Sequence, residues 1–149
     1  MKENSTKEAG DLKDFVARYI DFYENAPDMS VSVDAKTTLI ERCNNTLADT
    51  LGYPKEEIIG RPIFEIYHPD CMEEAKKAFE AFVKTGEVRD KELQLRRKDG
   101  SKLDVSLNVS SLRDEAGNIL FSRSILHDIT ERKLNEEKIK QQISCALTT

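Results

Sequence analysis

The sequence predicts an α+β domain built on one mostly antiparallel sheet, and three observations carry that expectation. Strand-like segments gather at both ends of the stretch from Met29 to His127, and helical segments fill its middle. Leu103, Val105, Leu107 and Val109 alternate with Asp104, Ser106, Asn108 and Ser110, the period-two pattern of a half-buried strand. Lys98-Asp99-Gly100-Ser101 separates two such runs and carries an Asp-Gly pair, whose glycine tolerates the positive φ of a hairpin turn.

Taken in order, residues 1–10 are polar and aperiodic and are expected to fray. From Asp11, read as an N-cap, Leu12, Phe15, Val16, Tyr19, Ile20 and Tyr23 recur at helical spacing, and Asn25-Ala26-Pro27 stops the helix. Met29 to Asp34 alternates as a strand with Met29, Val31 and Val33 on one side, and Thr38 to Arg42 reads as a second short strand. Asn44 or Asn45 caps a brief helix carrying Leu47, Ala48 and Leu51, which Gly52 ends. Pro54 suits the first turn of another short helix, ended by Gly60. Ile63 to Tyr67 is apolar but too short to assign.

His68-Pro69-Asp70 opens the longest internal helix, with Met72, Ala75, Phe79, Phe82 and Val83 along one side, Glu73 paired to Lys77 outside, and Gly86 as its stop. Val88 to Arg97, the run around Leu103 to Val109, and Ile119 to His127 read as three antiparallel strands, the last two joined through Asp114-Glu115-Ala116-Gly117-Asn118. Thr130 then caps a charged helix running to about Leu147. Ile139, Ile143 and Ala146 follow coiled-coil spacing there, but Asn135 and Arg132 fall on the same line. A paired rod and a solvated tail both remain open.

Composition narrows the function classes. The 149 residues are 38% hydrophobic and 34% charged with a formal net charge of −5, which argues against a general grip on nucleic acid. No apolar stretch approaches the roughly 18 residues that span a bilayer, and the N-terminus lacks a signal-peptide core. A cytoplasmic location is therefore expected, with any membrane anchor left to sequence outside this chain. Cys43, Cys71 and Cys145 are scattered, with no Cys-x-x-Cys pair and no histidine beside a cysteine. Reduced thiols are expected, not a disulfide framework or a metal site.

Three pieces resemble the PAS family of sensory domains over roughly Asp11 to Lys133. They are Asn44 to Tyr53 with Ile58-Ile59-Gly60-Arg61-Pro62, then Arg97-Lys98-Asp99-Gly100-Ser101, and finally His127-Asp128-Ile129-Thr130-Glu131-Arg132-Lys133. Thr46 stands where the family commonly has alanine. The resemblance implies a five-stranded antiparallel sheet with helices on one face, often enclosing a small pocket. It implies segments 1–26 as an N-terminal helical cap, 27–130 as the sensory domain and 131–149 as a linker or coiled-coil-like output helix. It also implies that the first helix packs on the sheet's outer face or at a homodimer interface. An effector such as a histidine kinase or diguanylate cyclase would receive the signal.

No phosphate-cradling loop, nucleophile elbow or paired-histidine motif is present, so no enzyme activity is expected. His68 resembles a family capping segment and not a haem ligand. Light-sensing relatives carry a cysteine after the Gly-Arg of the middle segment, whereas this chain has Pro62 and Ile63. Haem and photoactive flavin are therefore not expected, and any cofactor is unknown. If the last strand alternates, Ser122, Ser124 and Leu126 share a face, which the family arrangement turns inward. With Phe79, Phe82, Leu93, Leu95, Val105 and Leu107 they would line either a small-ligand pocket or a packed core. At the output junction, Asp128 precedes the helix capped by Thr130, its carboxylate is expected to accept hydrogen bonds from the first amides, and Arg132, four positions on, is expected to reach back to it.

Overall fold

The structure is a computed structural model that describes residues 2–148, with side chains described from residue 6. Helix α1 spans Lys2–Glu24 and is followed by strands β1, Met29–Asp34, and β2, Ile40–Cys43. Two short helices follow, α2 at Asn45–Leu51 and α3 at Lys55–Ile58. Single 3-10 turns at Ile63–Ile66 and Pro69–Cys71 lead into α4, Met72–Thr85. Strands β3, Val88–Arg96, β4, Lys102–Arg113, and β5, Ile119–Asp128, follow, each antiparallel to the next, and α5 covers Thr130–Thr148.

All five strands form one antiparallel sheet in the order β2-β1-β5-β4-β3. The last strand therefore lands beside the first, with Val31 opposite Ser124 and Val33 opposite Ser122. One face carries Met29, Val31, Val33, Leu93, Leu95, Leu103, Val105, Leu107 and Leu126, all buried. Leu47, Ala48 and Leu51 from α2, Ile58 from α3 and Ala75 and Ala78 from α4 close over it in one cluster. Each fully buried leucine contributes roughly 1.5–3 kcal/mol, against about 0–1 kcal/mol for an exposed ion pair. The core decides the fold; the charges decorate it.

Asn44 is the polar centre of the amino-terminal half. It is fully buried, and its Oδ1 accepts from Ser30 N at 3.0 Å and Leu47 N at 3.0 Å. Its Nδ2 donates to Tyr23 O at 3.0 Å and Asp28 O at 2.9 Å. One amide thus caps α2, so that of the two candidates Asn44 and not Asn45 is the cap, and it ties in the end of α1 and the start of β1.

Several boundaries differ from expectation. Asp11 lies inside α1, which begins at Lys2; Met1 lies outside the described residues, as does Thr149 at the far end. The stretch before Asp11 mixes Lys, Glu and Ala with its polar residues, and such residues extend a helix without any apolar face. Strand β2 starts at Ile40 and not Thr38, because Asp34 Oδ1 accepts from Lys36 N and Thr37 N and Thr38 turns left-handed at φ 62°. Lys77 pairs with Glu74, not Glu73, and Val83 is exposed where Ala78 is buried. Gly52 and Gly86 end α2 and α4 left-handed, at φ 87° and 81°.

Candidate functional site

Two places on this scaffold concentrate the residues that sequence reasoning singled out. The first is an interior cavity of about 50 Å³ between the sheet and α4. Period-two alternation turns Ser122, Ser124 and Leu126 of β5 inward, while Arg123, Ile125 and His127 stay exposed. Phe79, Phe82, Leu107, Ser122 and Ser124 line the cavity, joined by Ile63, Phe64 and Tyr67, which the sequence reading had not included. Phe64 and Phe79 meet edge to face at 5.5 Å between ring centroids.

Leu93, Leu95, Val105 and Leu126 belong to the packed core and not to the cavity wall. On β5, Leu126 sits one inward position closer to α5 than Ser124, and Val105 pairs with Asp128 at that same end. The open space lies at the opposite end, where the two serines replace bulk. Both are more than nine-tenths buried, and neither hydroxyl has a protein hydrogen-bond partner among the described residues. Burial also pushes the Tyr67 phenol well above its ordinary range, so it stays a neutral donor.

The space is modest. Sites for drug-sized molecules occupy about 300–1,000 Å³, whereas one water needs roughly 10–15 Å³ of the same kind of volume. In this conformation the cavity suits a few waters or a ligand of a few heavy atoms.

The second place is the junction of β5 with α5. Asp128 Oδ1 accepts from Thr130 N at 2.9 Å and from Thr130 Oγ1 at 2.5 Å. The capping group is therefore the Asp128 carboxylate, and Thr130, expected to cap, is the first helical residue. Ile129 between them is buried, and its N–H donates to Asp104 O of β4 at 3.0 Å.

Arg132 does not reach back to Asp128. It pairs with Glu92 of β3 and, at 3.5 Å, with Glu136. The i,i+4 rule holds within a helix, and Asp128 is still on the strand. Lys133 Nζ also meets Glu92, at 2.8 Å. Its hydrogen bond, followed by the nearby positive charges of Lys133 and Arg132, holds the Glu92 carboxyl below its ordinary value of 4.5. Glu92 was missed in the sequence because nothing local links it to residues forty positions away; only its outward alternation beside Leu93 hinted at a free side chain.

The histidines serve as connectors. His68 Nδ1 accepts from Asp70 N at 3.1 Å, the capping role its segment suggested. His127 Nδ1 lies 2.7 Å from Asp28 Oδ1, tying β5 to the connection between α1 and β1. No cluster of three or more histidine, cysteine or acidic residues suited to a metal ion occurs among the described residues. No helix among them is long and apolar enough to cross a membrane.

Residues 27–131 match the PAS domain family, and the chain belongs to it. The match runs from just before β1 to the first turn of α5. Phytochrome C of Arabidopsis thaliana is 24% identical over 137 residues, which cover 89% of this chain and 12% of that protein. This chain thus spans only a small part of that relative. The crystal structure of the PAS domain of an HTR-like protein from Haloarcula marismortui is 25% identical, with a TM-score of 0.66 over 83% of this chain and 99% of that one. The N-terminal domain of a diguanylate cyclase with PAS/PAC sensor from Marinobacter aquaeolei shares the fold at 16% identity, with a TM-score of 0.63 over 71% of this chain and 98% of that one. The protein is a PAS sensory domain of signal transduction.

Proposed function

We propose that this domain senses a small ligand or a partner's state and relays it through α5 to an effector domain such as a histidine kinase or diguanylate cyclase, without catalysing a reaction itself. The observation that carries the reading is the attachment of α5. Its first turn is held by three strands at once: Asp128 of β5, the Asp104 carbonyl of β4 and Glu92 of β3. A small relative shift of those strands changes how many of these contacts α5 keeps. The helix is then a two-state element biased by whatever changes the sheet.

The interior cavity supplies an input, with two buried hydroxyls to orient a small polar ligand. Its small size equally supports a second reading, a ligand-free dimerisation or docking module with a nearly filled core. Self-association into a homodimer is part of both readings, supported by Leu12, Phe15, Val16, Tyr19 and Ile20, exposed on α1. A cytoplasmic location suits such a relay.

Native mass spectrometry of the purified chain, with its absorption spectrum, separates the two. A bound species released on denaturation supports the ligand sensor; a clean apo mass together with a concentration-dependent dimer supports the docking module. A monomer with no bound species and an α5 insensitive to Glu92→Gln removes both.

A further inference from the structure

The lining of the interior cavity narrows the chemistry of what it can take. Its walls are largely apolar, with Val33, Ile63, Phe79, Phe82, Leu107 and Val109 among them. Of the described residues that line it, none is a lysine, arginine or histidine, and Asp34 is the acid. The Thr37 and Lys36 backbone N–H groups hold the Asp34 carboxyl below its ordinary value of 3.8, so it is anionic at neutral pH. An anionic ligand would meet a carboxylate and no cation, and burying a charge without a partner is costly.

The polar contribution comes from Ser122 and Ser124. Among the described residues, Tyr23 carries the fully buried side-chain oxygen that lacks a partner. The two serine hydroxyls lack protein partners as well but are not sealed in this way, so each keeps surface that a ligand can touch. On the inward face of β5 that surface opens on the cavity. A serine hydroxyl both donates and accepts, and a group that does the same satisfies it in either sense. The two serines stand about 7 Å apart along the strand, so a short ligand has to reach only one of them.

Volume sets the length. With roughly 10–15 Å³ for each water-sized group, about 50 Å³ accommodates about four of them. We propose that the cavity takes a short, neutral aliphatic alcohol of about three or four carbons, its hydroxyl bonded to a serine of β5 and its chain lying against Phe79 and Phe82. This rests on the proposed role of the cavity as the sensor's input and narrows that role to one chemical class.

The test is an NMR titration of the full chain with 1-butanol, compared with sodium butyrate and with 2-phenylethanol. Saturable shifts are expected at Ala75, Ala78, Ser122 and Ser124. Butyrate should bind at least about tenfold more weakly, and 2-phenylethanol, an alcohol too large for the space, should leave those signals unmoved. Ser122→Ala combined with Ser124→Ala removes both hydroxyls, keeps the room and breaks no protein hydrogen bond; it should weaken butanol about fivefold. Ser122→Val, which fills the room, should abolish the cavity shifts. Butyrate binding as well as butanol, undiminished binding by the double alanine variant, or shifts that centre on α1 or the outer sheet face would each overturn the proposal. Its failure and that of the sensory reading are distinguishable. A charged or larger species released from the purified chain on denaturation overturns the alcohol and leaves a ligand sensor standing. Cavity binding of butanol with unchanged amide exchange at residues 129–136 keeps the alcohol and overturns the relay.

Discussion

The two terminal helices leave the same sheet by different kinds of joint. The end of α1 is fixed through a fully buried, uncharged amide: Asn44 donates to the Tyr23 carbonyl and accepts from two further backbone groups. The start of α5 is fixed around one buried residue, Ile129, whose N–H reaches Asp104 O, and otherwise through exposed charges, with Glu92 holding Arg132 and Lys133 and Asp128 capping the helix. Buried hydrogen bonds are costly to break because they leave unpaired groups behind. Exposed pairs are weak and screened by salt. The contrast bears on the proposed relay: breaking the amino-terminal joint leaves buried groups unpaired, whereas losing the Glu92 contacts at the carboxyl-terminal joint does not.

The helices differ in surface as well. Helix α1 exposes a row of apolar residues, including Phe15 and Tyr19, along one side. Leu134, Ile139, Ile143 and Leu147 of α5 are exposed among charged residues without forming a comparable face. The proposed self-association is therefore supported by the apolar row of α1 and not by α5.

The largest effect should come from breaking the structural joint. Asn44→Ala is expected to lower unfolding free energy by about 3 kcal/mol, read by urea denaturation, because it orphans Ser30 N and Leu47 N inside the core. A loss no larger than that of an exposed asparagine would mean that the amide network is incidental. Next in size, Ser122→Val should raise stability by about 1 kcal/mol by filling the interior cavity with a β-branched side chain on a strand. A loss would show that the serine hydroxyl is satisfied in solution.

Glu92→Gln should cost less than about 1 kcal/mol of global stability yet speed amide exchange in the first two turns of α5, leaving α1 unchanged. The smallest effect is that of pH on the same joint. A carboxylate whose pKa is depressed by folding contributes stability above its unfolded value and loses it as pH falls through the folded one. The α5 attachment should thus be complete above 4.5, the ordinary glutamate value, and loosen only below the lowered Glu92 pKa. Protection of the α5 amides, corrected for the intrinsic pH dependence of exchange, that is already lost well above 4.5 would point to a different group.

Much of this was legible in the sequence, and the parts that were not share a cause. The strands, a cap at Asn44 or Asn45 and the grouping of the serines on one face were readable because alternation, capping chemistry and glycine stops are local properties. The PAS fold followed from motif order, and β2 was misplaced by two residues because an Asp34 turn took Thr38 and Leu39 out of the strand. The cavity's extent was half legible: side-chain parity grouped Ser122 with Ser124 and the family resemblance turned them inward, but only the packing of α4 showed that Leu93 and Leu95 lie beyond its edge. Glu92 is invisible in the sequence, because its partners Arg132 and Lys133 lie about forty positions away and local helix spacing gives Arg132 to Asp128 instead.

The central claim is that the state of the sheet sets the state of α5, and one exchange measurement tests it most directly. Hydrogen–deuterium exchange of residues 129–136 is compared between wild type and Ser122→Val, and again with both chains carrying Glu92→Gln. The account predicts that filling the cavity alters exchange at the root of α5, where Ser122 makes no contact, and that removing the Glu92 charge abolishes the difference. Identical exchange at the root of α5 in wild type and Ser122→Val, with changes confined to β5 and α4, would contradict it.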